Sequence, residues 1–278
     1  MVDIGFVILH YKTFDDTRNC VESILRNVPN APIIVVDNGS CNGTGEKLKK
    51  LYKESTDVTV LISNDNLGFA NGNNKGIRFL RRKYLPKFVV VMNNDTLIKQ
   101  TNFIEIVKNE YESSNFAVLG PQIITRDGLN NSNPVEYVVD RKSKASVLLI
   151  KRKIKLLLNK LHLNRFLHDV GTSIKHEGKY NNLQRYENVK LHGACWIFSD
   201  KFFEKYDGIN KSTFLYFEED ILYLETQRKG LKTVYNPDLI VTHLEDSSTN
   251  NVTQNSREKN IFVLCNEIRS LKVLKKLL

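Results

Sequence analysis

The chain has 278 residues, 41% of them hydrophobic and 26% charged, a balance that excludes wholesale disorder and fits one large domain or two modest ones. Lys and Arg outnumber Asp and Glu by 41 to 31, a formal net charge of +10 that points toward nucleic acid or an anionic membrane face. Four cysteines, at 20, 41, 195 and 265, form no CxxC pair and no zinc spacing, so they read as free thiols in a reducing, cytoplasmic compartment. The opening run to Tyr11 carries Asp3 in place of a basic cluster and is too brief for a signal peptide. No stretch has the apolar length needed to cross a bilayer.

Taken in order, Ile4 to Tyr11 predicts a buried strand, and Thr13 to Asp16 a capping box ahead of a helical stripe at Val21, Ile24, Leu25 and Val28. Ile33 to Val36 is a second strand, ending in the turn cluster Asp37-Asn38-Gly39-Ser40. A helix around Glu46 to Leu51 precedes a strand at Val58 to Ile62. A polar, glycine-rich loop follows from Asn64 to Gly76, overlapping a helix from about Gly72 to Lys83, and then a strand at Phe88 to Met92. Apolar runs without alternation, each followed by a helix, predict a parallel sheet covered on both faces.

The second half predicts a strand at Gln122 to Arg126 and a strand region at Val189 to Phe198. A helix from Glu218 to Lys229 is closed by Gly230, and strands at Lys232 to Tyr235 and Leu239 to His243 flank Asn236-Pro237. Between these lies a basic insertion, 141–165, with nine Lys or Arg and no acid. Val147, Ile150, Ile154, Leu157 or Leu158, and Leu161 recur in it at helical spacing. The stretch 251–278 repeats the design, with Ile261, Leu264, Ile268, Leu271, Leu274 and Leu278 opposed by Arg269, Lys272, Lys275 and Lys276. A leucine stripe opposite a basic face is the mark of an interfacial helix, peripheral on the inner face of a membrane. The alternative packs each stripe on the domain, or in a homo-oligomer seam, and leaves the charges solvated. The basic runs lack the interleaved aromatics of a base-stacking surface, which argues against nucleic acid. No internal repeat or low-complexity linker interrupts the chain, so 1–278 reads as one domain. Its parts are a ligand-binding half, 1–120, a second half, 121–250, and the 251–278 helix.

Ligands of open α/β sheets bind at the carboxyl ends of strands. That rule selects His10-Tyr11, Asp37-Asn38, the Asn64–Gly76 loop and Asn93-Asn94-Asp95. A dinucleotide site would need GxGxxG after the first strand, where His10-Tyr11-Lys12 stands instead. The stretches IGFVILHYK, IIVVDNGS, NDNLGFANGNNKGI, VVVMNNDT, HGACWIFS and FLYFEEDILYLETQRKG, with a trailing IVTH, run in order from residue 4 to 243. On these the chain resembles the inverting glycosyltransferases of family 2, and especially their rhamnosyltransferase-like branch.

The resemblance implies a GT-A fold, a Rossmann-like, mostly parallel sheet with helices on both faces. It implies transfer of a sugar from a nucleotide-diphosphate donor, dTDP-rhamnose or a UDP-hexose, to a glycan acceptor. The acceptor would be lipid-linked, in cell-surface polysaccharide synthesis. Donor contacts would come from His10, Tyr11, Asp37, Asn66, Gly68, Asn73, Asn74, Asn93 and Asn94. Asp37 would read the base, while its alternative role is to shape its own turn. The glycine-rich string would hold phosphate at a helix start. Asp95, with His243, would hold a divalent cation, Mn2+ or Mg2+, although Asn93 replaces the first acid of the expected pair. An amide oxygen there ligates without charge. Glu218, Glu219 and Asp220 would supply the catalytic carboxylate, Glu219 preferred and Asp220 one register away. His192, Gly193, Ala194 and Trp196 would border the acceptor, with Trp196 stacking on a sugar or sitting in the core. The departure at Asn93 leaves a second reading open, a catalytically idle relative that binds sugar nucleotide or membrane.

Overall fold

The computed structural model describes residues 2–126, 131–163, 180–244 and 256–278. The end of the 141–165 run and residues 251–255 lie outside them. Nine strands form one sheet: β1 (Ile4–His10), β2 (Ile33–Asn38), β3 (Val58–Ser63), β4 (Phe88–Asn93), β5 (Thr96–Leu97), β6 (Val118–Thr125), β7 (Tyr186–Glu187), β8 (Cys195–Ser199) and β9 (Thr233–His243). The helices are α1 (Phe14–Asn27), α2 (Thr44–Leu51), α3 (Gly68–Tyr84), α4 (Phe103–Ser114), α5 (Lys142–Lys160), α6 (Asp200–Phe203), α7 (Glu218–Arg228) and α8 (Ser256–Leu277). The sheet order is β3-β2-β1-β4-β8-β6-β9-β5, with β7 added on β9.

β1, β2, β3 and β4 are mutually parallel, as their unbroken apolar runs predict. Successive side chains of a strand face opposite ways, so both faces need cover. Phe6, Ile8, Val35 and Val90 pack toward α1 and α4, against Val21, Ile24, Phe103 and Val107. Val7, Val36 and Val91 pack toward α3, against Ile77 and Leu80. Gly76 lets that helix lie close, since a Cβ there would stand 2.5 Å from a Val7 methyl.

The second half departs from the parallel pattern. β8 enters antiparallel between β4 and β6. β6 starts at Val118, four residues before the expected strand, and pairs parallel with β9. The two strands expected around Asn236-Pro237 are one. The register slips where Pro121 meets Asn236, a site where a residue without an N–H is tolerated.

α5, α7 and α8 enclose a small third core built from Val139, Ala145, Leu148, Ile221, Leu271 and Leu274. This corrects the interfacial reading of the C-terminal stripe, because Leu264, Ile268, Leu271 and Leu274 are buried. Among the described residues, no helix is long and apolar enough to cross a membrane.

Candidate active site

The carboxyl ends of β1, β2 and β4 open on a cleft of about 540 Å³. Its lining joins Tyr11, Asn38 and Asn66 to Asn93, Asn94, His192, Gly193, Glu218 and Glu219. An aromatic wall completes it: Phe69, Phe214, Tyr216, Phe217 and Phe262.

Three consecutive acids open α7, and the structure gives them three environments. Glu219 lies on the cleft wall and accepts from the Gly193 N–H at 2.5 Å, with His192 Nε2 3.9 Å away. Glu218 also lines the cleft but is buried, accepting from the Thr213 hydroxyl at 2.9 Å. Burial pushes its carboxyl up to about 7, helped by the neighbouring Glu219 charge. Asp220 points away from the cleft. It pairs with Lys190 at 3.0 Å and accepts from the Val139 N–H at 2.9 Å. Burial raises its carboxyl too, opposed by Lys190. An acid held in that pair is not presented to the cleft, unlike Glu218 and Glu219.

The backbone just before these acids is strained. Tyr216 and Phe217 have φ of 73° and 67°, left-handed values that bulky residues rarely adopt. Phe214 O accepts from the Phe69 N–H at 2.8 Å, pinning the segment to the start of α3.

That start corrects the expected phosphate loop, because helix begins at Gly68, four residues early. The first amides of α3 already have partners. Leu67 N–H donates to Asn38 Oδ1, Gly68 N–H to Asn66 Oδ1 and Phe69 N–H to Phe214 O. Asn38 Nδ2 further donates to Asn66 Oδ1 and Gly68 O. Helix ends attract phosphate through unpaired amides, and three at this start already have partners.

Several expected donor contacts stand behind the lining. His10 is fully buried, its ring nitrogens 2.7 Å and 2.9 Å from the Thr17 and Thr44 hydroxyls. Burial holds it down near 4, against the pull of Asp37, so the ring is neutral. Asp37 is 2% exposed; its Oδ1 accepts from the Ser40 N–H and hydroxyl, which fixes the turn that follows β2. Asn73 donates to Phe69 O, and Asn74 brackets the Ile209 backbone. Asn94 reaches the cleft, with its amide donated to Thr13 and Thr17. The Thr13 side chain therefore receives Asn94 and does not cap α1, contrary to the expected capping box.

Asp95 and His243 meet because β5 pairs Thr96 with His243 and the Leu244 N–H bonds Asp95 O. Asp95 Oδ1 is buried 3.2 Å from His243 Nε2, without a directed hydrogen bond between them. The His192 ring stands 6.1 Å from that of His243 and accepts at Nδ1 from the Ala194 N–H. Ala194 O in turn accepts from Asn93 N–H, joining this loop to the end of β4. Trp196 is fully buried, with its Nε1–H on Leu191 O, and together with Ala194 it also belongs to the cleft lining. Cys195 is buried and its thiol is pushed well up by burial, so it is no nucleophile.

Sequence reasoning selected Asn38 only within the strand-end pair Asp37-Asn38, and gave no role of their own to Phe69, Phe214, Tyr216, Phe217 and Phe262. Asn38 sits in the turn cluster already singled out; Phe262 lies on α8 next to Ile261 of the stripe, and no local pattern reveals its distant partner.

Comparison with known proteins bears on the fold and the family. A hexosyltransferase of low-salt glycan biosynthesis, Agl10 of Haloferax volcanii, is 26% identical over 231 residues, covering 82% of this chain and 63% of the relative. Glycosyltransferase GlyG of Streptococcus pneumoniae is 28% identical over 117 residues, 42% of this chain and 37% of the relative. The chain thus spans less than two thirds of the length of either. The crystal structure of GalNAc-T7 with UDP, GalNAc and Mn2+ matches with a TM-score of 0.60 at 12% identity, over 95% of this chain and 47% of that one. This shows the shared fold, GT-A. A family model described as Glycosyl transferase family 2 matches residues 6–207, ending short of the α7 acids and His243. With that match running through β1, β4 and β8, which build the cleft, the chain belongs to glycosyl transferase family 2.

Proposed function

We propose that the protein transfers a sugar from a nucleotide-diphosphate donor to an acceptor glycan, with inversion at the anomeric carbon. One observation carries this reading. Glu219 presents to the cleft a carboxylate oriented by the Gly193 N–H, with His192 Nε2 3.9 Å away, whereas Glu218 is buried and Asp220 is held by Lys190. A carboxylate so held takes the proton of an acceptor hydroxyl as its oxygen attacks the anomeric carbon. The bond from that carbon to the donor diphosphate breaks, and its electron pair leaves with the diphosphate. Glu218, buried beside it and pushed up to about 7, is ionised less readily than an ordinary carboxyl, which lessens the negative charge crowding the base.

The donor nucleotide fits the carboxyl ends of β1, β2 and β4, where Tyr11, Asn38 and Asn66 offer a ring face and amides. Asp95 and His243 fit a divalent cation: a buried carboxylate oxygen and an imidazole nitrogen face each other without a directed hydrogen bond. Among the described residues no cluster of three His, Cys, Asp or Glu forms, so further ligands would come from the diphosphate and from Asn93. Bound there, the ion offsets negative charge gathering on the leaving diphosphate. The UDP and Mn2+ bound in the GalNAc-T7 crystal structure and the description of the Haloferax volcanii relative as a hexosyltransferase support this reading. The donor is a dTDP-rhamnose or a UDP-hexose, and the acceptor a glycan on a lipid carrier.

Nucleotide release from a panel of dTDP- and UDP-sugars, with and without manganese, tests the proposal. Release from one donor that needs the metal and disappears in Asp95→Ala supports it. No release from any donor favours the idle, binding-only relative.

A further inference from the structure

The basic insertion forms α5, and its surroundings invert the usual pattern of a surface helix. Ala145, Leu148 and Asn159 are buried against α8 and the small third core. Val147, Ile150, Ile154, Leu157 and Leu161 are between 46% and 57% exposed. At about 100° per residue these five project from the side opposite the buried one. An outward helix face is normally charged; here it is apolar from Val147 to Leu161, about 21 Å at 1.5 Å per residue.

The charges sit on the shoulders of that face. Lys151 lies along one edge, and Lys142, Lys153 and Lys160 along the other, all exposed. α5 contains no acid, and none of these four lysines makes an ion pair among the described residues. Arg152 differs. It is half-buried and forms an ion pair with Glu267 of α8, Nε to Oε2 2.8 Å, which ties the helix to the body.

We propose that this face of α5 docks the protein on an anionic lipid surface, with the apolar stripe in the headgroup boundary and the lysines on lipid phosphates. Charge decides between lipid and a second copy of the chain. A two-fold seam through the stripe would set rows of unpaired lysines near one another, which repels. An anionic bilayer meets the same rows with opposite charge and the stripe with hydrocarbon. The face connects to the cleft through two elements. α8, which α5 packs on, supplies Phe262 to the lining, and Val139, just ahead of α5, holds Asp220 of α7. Docking there places the cleft within two helix layers of the membrane plane. The inference is independent of the transfer chemistry, since no residue of the face lines the cleft.

The test is cosedimentation of the full chain with phosphatidylcholine vesicles containing about 30% phosphatidylserine, at low and high salt. Binding is expected at low salt, and loss on raising salt or omitting phosphatidylserine. The Ile150→Ser, Ile154→Ser, Leu157→Ser triple variant should fall at least about tenfold in partitioning. A Lys151→Gln, Lys153→Gln, Lys160→Gln variant should lose about fivefold per charge removed. Circular dichroism, and nucleotide release without vesicles, should be unchanged in both, which separates this surface from the reaction. Wild-type protein left in the supernatant at low salt overturns the proposal. So does a wild-type dimer that the triple variant converts to monomer, which makes the face a seam between copies.

Discussion

Lys190 Nζ lies 3.0 Å from Asp220 Oδ2, each side chain only 5% exposed, and this pair separates two adjacent acids that sequence leaves interchangeable. Consecutive residues of a helix point about 100° apart, so when Asp220 turns inward to Lys190, Glu219 turns to the cleft. Removing one partner of a buried pair strands the other charge. Asp220→Asn should therefore cost about 3–5 kcal/mol of stability, read from urea unfolding. Turnover per folded molecule should stay near wild type. A variant as stable as wild type but inactive would return Asp220 to the chemistry.

Glu218 makes stability depend on pH. Its ordinary value of 4.5 is raised to about 7 in the fold, chiefly by burial. The fold thus favours the protonated acid, a contribution fully present below pH 4.5 and lost as pH rises through about 7. Glu218→Gln, neutral at every pH, should gain on wild type across that window. The gain is on the order of 3 kcal/mol and constant above it. Denaturant midpoints of both proteins at pH 5 and pH 8 check this, and parallel midpoints would mean the acid is ionised in its pocket.

Much of this was legible in the sequence, for physical reasons that also mark where reading stops. β1 through β4 announce themselves as apolar runs, since strands buried on both faces need no alternation. The cleft follows from where those strands end. The antiparallel entry of β8 is invisible, because CWIFS reads alike in either direction and only its neighbours fix the sense. α4 went unread although Phe103, Val107 and Tyr111 stand at helical spacing, overshadowed by the strand ends on either side. Glycine and asparagine density suggested a loop at 64–76, yet the glycines of α3 serve close packing on β1 and its asparagines tie backbone. The two amphipathic stripes look alike as sequence. Tertiary contact alone shows that α8 buries its stripe and α5 leaves its own exposed.

Gly68 joins α3 to the aromatic wall. Its φ is +78°, and a Cβ added there would stand 2.4 Å from Phe214 O, a backbone atom with no room to yield. Gly68→Ala should cost about 2 kcal/mol, from the left-handed backbone and the displaced Phe214 segment together. Because that segment leads into Glu218 and Glu219, turnover should fall along with thermal stability. A variant with an unshifted melting temperature and normal turnover would show that the α3 start does not position the acids.

The most direct measurement is Glu219→Gln, assayed for donor binding by calorimetry and for sugar transfer by nucleotide release. Glutamine keeps an acceptor for the Gly193 N–H but cannot take a proton. Transfer should drop by about 10²-fold or more, with donor affinity and unfolding midpoint unchanged. Transfer at the wild-type rate in Glu219→Gln would contradict the account, because no carboxylate base would then act from that wall.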